Sequence, residues 1–186
     1  MIKIALCDDN EVERRLLRKI VTAVLRELHQ EVLIVEFSSG EKLQRNFSRG
    51  DYDLIFLDVF MKEMDGIATG RAIRKKDVKV EIILATGSDQ YLREGYELHA
   101  FAYLMKPYDV MQVRATICDY FSRNQVSTHD EDMEFLRFSV QQKKFCIKQR
   151  EISVIESEGR VVYIYHGDEK YRAYQRLNTI EQKLNM

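Results

Sequence analysis

The sequence lacks the cysteine pattern of a disulfide framework or of a metal cluster. Its cysteines, Cys7, Cys118 and Cys146, are an odd number at wide spacings, whereas disulfide-rich domains and zinc sites have their cysteines in close groups. Cys7 and Cys118 each follow apolar residues, so we interpret them as buried structural thiols. The cysteines therefore indicate neither a metal function nor a disulfide scaffold.

Long apolar runs and an excess of one charge are also missing. No apolar run approaches the roughly 20 residues that a membrane helix needs, and the first residues lack the basic start and long apolar core of a signal peptide. Lys and Arg number 29 against 30 Asp and Glu, so charge alone gives no indication of nucleic acid binding. The composition predicts a soluble, cytoplasmic protein with no membrane partner, large enough for one full domain and a smaller one.

Strand and helix patterns alternate five times over residues 1–123. Short apolar strands are predicted at Ile2–Leu6, Val32–Phe37, Tyr52–Leu57, Val80–Ala85 and Ala102–Met105. Helical patterns follow them, and in the first the apolar residues at every fourth position, Val12, Leu16, Ile20, Val24 and Leu28, predict its inner face. Glu11 and Glu13 suit the positive end of the dipole of this helix. Further helices are predicted at Asp89–Leu98 and from Tyr108, and Arg74 is predicted to point mostly outward from the helix after the third strand. Because parallel neighbours need helical crossovers, this alternation predicts an α/β domain with a doubly wound, five-stranded parallel sheet.

The pattern changes after this first domain. Residues 124–133 are polar and lack apolar periodicity, as in a linker, and residues 134–186 read as five short strands followed by a helix, Leu177–Leu184. About 53 residues are few for independent folding, and no strand follows the helix. We expect a small, incomplete antiparallel β segment with a terminal helix.

Polar residues follow four of the predicted parallel strands. The apolar run Leu54–Leu57 stops at Asp58, the first strand leads into Asp8-Asp9, and Thr86 and Lys106 follow the fourth and fifth strands. Ligands of open α/β sheets bind outside the carboxyl ends of the strands. These side chains are therefore expected to meet at one edge, although each alone could be a helix cap, a turn residue or a solvated cation.

Three carboxylates at one edge repel each other unless a hard divalent cation lies among them, and Mg²⁺ suits carboxylates and phosphate oxygens. With the metal bound, Asp58 can act as a carboxylate nucleophile toward a phosphoryl group. Lys106 would hold one phosphate oxygen, and the Thr86 hydroxyl would donate to another. The joint pattern therefore predicts phosphoryl chemistry at Asp58.

With Met61, Met64-Asp65-Gly66 and the segment Tyr103–Pro107, this pattern resembles the receiver domain of bacterial two-component response regulators, a flavodoxin-like fold, over residues 1–123. The resemblance implies that a sensor histidine kinase phosphorylates Asp58, with at most slow self-phosphorylation and self-dephosphorylation rather than enzymatic turnover. It implies a cis bond between Lys106 and Pro107. It also implies a Mg²⁺ site formed by Asp8, Asp9, Asp58 and the Phe60 backbone carbonyl. Thr86 and Tyr103 are implied as a switch pair that moves together on phosphorylation. One departure is Lys62, where many receivers have proline.

The second segment is similar to the first half of a LytTR-type DNA-binding domain, from Ile155–Arg160 to the terminal helix. This resemblance implies a transcriptional output, with Arg160 as a candidate DNA contact, or else a solvated turn arginine. Because the later strands of that family are missing, we expect DNA binding only with the complete C-terminal domain.

Two other functions stay open. The β segment could serve dimerisation or partner binding. Separately, a homodimer is expected through a face of the first domain that includes Tyr91, Arg93, Glu94, Tyr96, Glu97 and Arg114. An aspartyl-phosphate hydrolase would need a general acid two residues beyond Asp58, where the chain has Phe60.

Overall fold

A computed structural model describes residues 1–88, 92–124, 135–140 and 143–184. The chain divides into two compact units, Met1–Asp109 and Val110–Met186. None of the helices in these described ranges is long and apolar enough to cross a membrane. The predicted linker lies outside the described residues apart from Asn124, and the predicted domain limits at 123 and 134 stay predictions.

The first unit is built on a five-stranded parallel sheet in the order β2-β1-β3-β4-β5. Its elements are β1 (Ile2–Cys7), α1 (Glu11–Glu27), β2 (Val32–Phe37), α2 (Gly40–Asn46), β3 (Leu54–Asp58), α3 (Gly66–Lys76), β4 (Glu81–Thr86), α4 (Leu92–Glu97) and β5 (Ala102–Met105). This order confirms the predicted doubly wound fold. The order reverses between β1 and β3, which is where such sheets bind their ligands.

The buried core of this unit runs along the central strands. Leu54, Ile55, Ile82 and Leu84 are fully buried, because parallel strands covered on both faces need apolar residues at successive positions. Tyr52 lies just before β3 instead of within it, and its ring packs edge-on against Phe37 at 6.1 Å between centroids. The continuous apolar run Leu54–Leu57 therefore corresponds to β3, and Asp58 at its end lies at the edge where such sheets bind ligands.

The predicted inner face of α1 was wrong at its start. Val12 is 75% exposed and Leu16 is 45% exposed. The buried positions are Leu17, Ile20, Val21, Val24 and Leu25. A strict repeat of four residues drifts by about 40° at each step on a helix with 3.6 residues per turn, so it cannot stay on one face.

Other differences concern element ends. The helix predicted from Asp89 to Leu98 is described only as Leu92–Glu97. Asp89 to Tyr91, including one residue of the predicted dimer face, lie outside the described residues.

Arg74, predicted to point mostly outward, instead donates to the backbone carbonyls of Leu98 and Val80 at 2.9 and 2.6 Å. Burial lowers the pKa of its guanidinium.

The second unit contains one long helix, two antiparallel sheets and a short terminal helix. Its elements are α5 (Val110–Asn124), β6 (Phe135–Val140), β7 (Lys143–Lys148), β8 (Ile152–Glu158), β9 (Val161–His166), β10 (Glu169–Ala173) and α6 (Leu177–Glu181). The sheets pair β6 with β7, and β8, β9 and β10 in the order β10-β9-β8. This arrangement confirms the predicted antiparallel β segment with a terminal helix.

The second unit has a core of its own. Leu136, Ile147, Ile164 and Ile180 are buried together in it. On another side of β7, the thiols of Cys118 in α5 and Cys146 share a hydrogen bond, and both are 1% exposed. The predicted burial of Cys7 and Cys118 is confirmed, since Cys7 is also 1% exposed.

Candidate functional site

Acidic residues from two adjacent strands meet at one edge of the parallel sheet. Asp8 follows β1 directly and Asp58 is the last residue of β3, and each is 3% exposed. One oxygen from each of Asp8, Asp9 and Asp58 lies within 4.8 Å of the others. The convergence predicted from the strand ends is therefore present in the fold.

A close backbone approach fixes the loop that carries Asp58. A Cβ atom on Gly66 would lie 2.9 Å from both the Asp58 carbonyl carbon and the Val59 Cα, and closer still to the Asp58 carbonyl oxygen. Only glycine leaves this space free. The Gly66 N–H donates to the Val59 carbonyl at 3.0 Å, while the Asp65 side chain caps α3 by accepting from Ala68 N at 2.7 Å. The Asp65-Gly66 pair thus folds the loop back onto the end of β3.

Lys106 supplies the positive charge at this site. Its Nζ lies 2.9 Å from Asp8 Oδ2 and 3.0 Å from Asp58 Oδ1, and it also forms an ion pair with Glu13 of α1. The Lys106 backbone N–H donates to the Thr86 carbonyl at 2.8 Å, and the Lys106–Pro107 bond is cis, as predicted. The side chain is therefore held between two strand ends and a helix.

Burial and mutual repulsion perturb the ionisation of Asp58. Burial raises the pKa of Asp58 from 3.8 to about 6; the Lys106 charge opposes this rise, and the nearby Asp8 charge adds to it. For Lys106, burial favours a lower pKa, but hydrogen bonds to Glu13 and Asp8 outweigh it and raise the pKa above its ordinary value. The ammonium is thus fully protonated, and its single positive charge faces the three carboxylates of Asp8, Asp9 and Asp58.

These properties fit a divalent cation. Asp8, Asp9 and Asp58 offer converging oxygen atoms, which are the ligands that Mg²⁺ prefers. Burial is the main cause of the raised pKa of Asp58, and a bound cation would offset this cost of a buried negative charge. Phe60, whose carbonyl is the fourth predicted ligand, donates its backbone N–H to Asp58 Oδ1 at 3.3 Å, so its peptide lies next to the cluster.

The two predicted switch residues occupy different surroundings. Thr86 is 1% exposed, and its hydroxyl donates to the Ser88 carbonyl at 2.9 Å. Tyr103 packs against the core, with its hydroxyl directly beside Gly95, where an added Cβ would overlap it. Burial first, and then the Glu94 charge, raise the pKa of Tyr103. The switching role of Thr86 and Tyr103 stays a prediction.

The remaining candidate, Arg160, lies in the second unit. It is exposed in the turn between β8 and β9, next to Gly159 with its positive φ of 62°. An exposed turn is accessible to a partner such as DNA, but it is equally the usual place of a solvated arginine. Its role stays a prediction.

Two residues near Lys106 were missed from the sequence. Glu13 was interpreted only as an acid suited to the start of α1, and Tyr108 only as the first residue of a helix. The Tyr108 ring centroid lies 5.9 Å from Lys106 Nζ, and its hydroxyl oxygen is buried with no hydrogen-bond partner among the described residues. Burial raises the pKa of Tyr108, so its hydroxyl is neutral. The acidic first turn of α1, one helical turn after Asp8-Asp9, was the only available signal for Glu13.

Comparison with known proteins agrees with this geometry. The response regulator receiver domain family matches residues 4–118. The chain is 28% identical to the transcriptional regulatory protein NatR of Bacillus subtilis over 99% of its own length and 76% of NatR. It is 32% identical to the transcriptional regulatory protein LytR of Staphylococcus aureus over 72% of its own length and 58% of LytR.

Solved structures give the same result for the first part of the chain. The receiver domain of AraT, a response regulator from Geobacillus stearothermophilus, has a TM-score of 0.56 at 26% identity and covers 66% of this chain and 94% of its own. The response regulator TrrA from Thermotoga maritima, solved in complex with Mg²⁺-BeF, has a TM-score of 0.56 at 25% identity and covers 64% of this chain and 99% of its own. The chain therefore belongs to the response regulator receiver family, as a two-component receiver domain followed by a LytTR-type output segment.

Proposed function

We propose that Asp58 accepts a phosphoryl group from a sensor histidine kinase in a Mg²⁺-dependent reaction, and that this step switches a transcriptional output. The observation that carries the proposal is the buried Asp58 carboxylate, with Lys106 Nζ at 3.0 Å and the Asp8 and Asp9 oxygens within 4.8 Å. The response regulator TrrA, solved in complex with Mg²⁺-BeF, supports the use of Mg²⁺.

The residues of the chain would share the work of phosphoryl transfer. An Asp58 carboxylate oxygen attacks phosphorus, the bond from phosphorus to the histidine nitrogen breaks, and that nitrogen leaves with the bonding electrons. Lys106 stays protonated and binds a phosphoryl oxygen, while the Thr86 hydroxyl turns from Ser88 to donate to another. Asp8, Asp9, Asp58 and the Phe60 carbonyl would hold Mg²⁺, which would supply charge neutralisation at the site. Tyr103 then repacks with Thr86 to report the change.

The proposed output is transcriptional regulation through DNA, supported by the similarity to the transcriptional regulatory proteins NatR and LytR. We assign to Arg160 a phosphate or base contact within the complete C-terminal domain, and to the whole protein a homodimeric active form in the cytoplasm. Three buried free thiols are consistent with a reducing compartment. Protein contacts alone remain the alternative output. A hydrolase is disfavoured because Phe60, 48% exposed, offers no general acid.

Phosphorylation by a small phosphodonor tests this proposal. Wild-type protein with Mg²⁺ should gain one labile phosphoryl group by intact mass, and Asp58→Asn should gain none. Asp168→Asn, which alters an exposed aspartate in the second unit, is the matched control and should behave like wild type. Chelation of Mg²⁺ should abolish the gain. An unchanged wild-type mass, or a labile group that persists in Asp58→Asn, would refute the proposal.

A further inference from the structure

Glu13 is a fourth acidic group at the candidate site. The Lys106 ammonium has three N–H bonds, and three carboxylates surround it: Asp8 at 2.9 Å, Asp58 at 3.0 Å, and Glu13 in an ion pair. The Lys106 side chain is 14% exposed, whereas Glu13 is 36% exposed and lies at the outer side of the cluster. Every N–H of the ammonium thus has a carboxylate within reach.

The start of α1 holds Glu13 in this position. Asn10 caps the helix, with its side-chain oxygen accepting from Val12 N at 3.0 Å and from Glu13 N at 3.4 Å. The Asn10 backbone N–H in turn donates to Asp8 Oδ1 at 2.8 Å. The first helical turn is therefore anchored to one of the acidic residues, and the Glu13 side chain is directed to Lys106 instead of into solvent.

Glu13 changes the charge balance of the candidate site. Asp8, Asp9 and Asp58 carry three negative charges, which Lys106 and one divalent cation would balance completely. Glu13 adds one further negative charge in contact with Lys106. A phosphodonor is itself an anion, so this extra charge opposes its approach. An N–H bond directed to Glu13 is also not available to a phosphoryl oxygen.

We propose that Glu13 is a positioning residue that restrains Lys106 and thereby slows the phosphorylation of Asp58 by small anionic phosphodonors. This inference rests on the proposed function and adds a rate-setting residue to it. The restraint favours donors that bring their own binding surface, such as a partner protein, over free small molecules. In this proposal Glu13 acts only through Lys106, without contacting Mg²⁺ or the phosphoryl group.

A helix-stabilising role is the alternative, because acids in the first turn favour the positive end of the helix dipole. Glu11 separates the two roles. It lies in the same first turn but pairs with Arg15 on the outer surface, where both side chains are more than half exposed. Glu11→Gln therefore removes the same charge from the same helix end without touching Lys106.

The experiment compares wild type, Glu13→Gln and Glu11→Gln, after circular dichroism has verified that all three are folded. We expect Glu13→Gln to raise the rate constant for phosphorylation by acetyl phosphate by about three- to tenfold, the size expected for one partly screened charge near the site. Glu11→Gln should stay near the wild-type rate. High salt should reduce the advantage of Glu13→Gln by screening the charge but should not abolish it, because the direct contact with Lys106 is also lost in this variant.

Mg²⁺ binding by calorimetry provides a readout that needs no phosphoryl transfer. Without Glu13, Lys106 compensates the remaining carboxylates more fully, so Glu13→Gln should bind Mg²⁺ about two- to threefold more weakly than wild type and Glu11→Gln. Equal phosphorylation rates in Glu13→Gln and Glu11→Gln, a slower rate in Glu13→Gln, or equal Mg²⁺ affinities would overturn the inference. A wild-type protein that is never phosphorylated would refute the proposed function, and the calorimetry would still decide the role of Glu13.

Discussion

Ionisation of Asp58 is expected to destabilise the metal-free fold. A substitution that removes the ionisable carboxyl should therefore stabilise the protein. The carboxyl has a pKa of about 6 in the folded chain against 3.8 when unperturbed, with burial as the main cause. The folded state therefore holds this proton more tightly than the unfolded chain does. Stability from this group is full below about pH 4 and is lost as the pH rises through about 6.

The magnitude follows from the two pKa values. At about 1.4 kcal/mol for each pH unit between them, ionisation of Asp58 lowers the free energy of unfolding by about 3 kcal/mol at neutral pH. Asp58 is 3% exposed, so solvent screening removes little of this cost. Asp58→Asn keeps the size and polarity of the side chain but cannot ionise. It should therefore recover about 3 kcal/mol at about pH 7.5 and much less at about pH 4.

Urea denaturation with a chelator present provides the measurement. With an m-value of about 1 to 3 kcal/mol per molar urea, the midpoint should rise by about 1 M or more at pH 7.5. Asp168→Asn, in an exposed turn, serves as the control and should not change the midpoint. Added Mg²⁺ should narrow the difference by stabilising wild type more than Asp58→Asn. An equal rise of the urea midpoint at both pH values, or no rise at neutral pH, would show that ionisation of Asp58 does not destabilise the fold.

Three further outcomes are expected. Gly66→Ala should cost about 3 kcal/mol or more, because its Cβ would overlap the Asp58 backbone. Gly87→Ala should be close to neutral by urea denaturation, because among the described residues an added Cβ there would meet no atom within 4 Å beyond its chain neighbours. Equal costs of the two substitutions would contradict the close approach at Gly66. Cys7 should resist iodoacetamide in the native protein and react in urea, since burial raises its pKa to about 12; native alkylation detected by mass spectrometry would count against its burial. Specific, salt-sensitive binding to a direct-repeat DNA should require the complete C-terminal domain and should weaken in Arg160→Ala, so tight specific binding by the 186-residue chain in a gel-shift assay would contradict this expectation.

The parallel sheet and its acidic edge were predictable because both depend on local sequence. A buried parallel strand requires a continuous apolar run, and the run at Leu54–Leu57 ends at the residue that carries the proposed chemistry. Once the strand order is known, the other strand ends follow, since parallel strands present their carboxyl ends at one edge. Asp8, Asp58 and Lys106 therefore meet as predicted.

Contacts set by tertiary packing were not predictable in the same way. The ion pair between Glu13 and Lys106 joins residues 93 positions apart, and nothing in the local sequence of either one specifies the other. The inner face of α1 was misassigned because apolar residues at Val12 and Leu16 continue the buried pattern into a turn that faces away from the core. The outward direction predicted for Arg74 was wrong for a similar reason, because its carbonyl partners lie in the loops that follow α3 and α4.

Main-chain hydrogen bonds join two loops of the candidate site to β4. Val59 N donates to the Ala85 carbonyl at 2.9 Å, and Lys106 N donates to the Thr86 carbonyl at 2.8 Å. These bonds need no particular side chain, so apart from Gly66, whose close approach requires glycine, the loop residues can vary without releasing the loops from β4. We therefore expect substitutions at Lys62, Ser88 and Glu13 to change the proposed phosphorylation of Asp58 with little effect on fold stability.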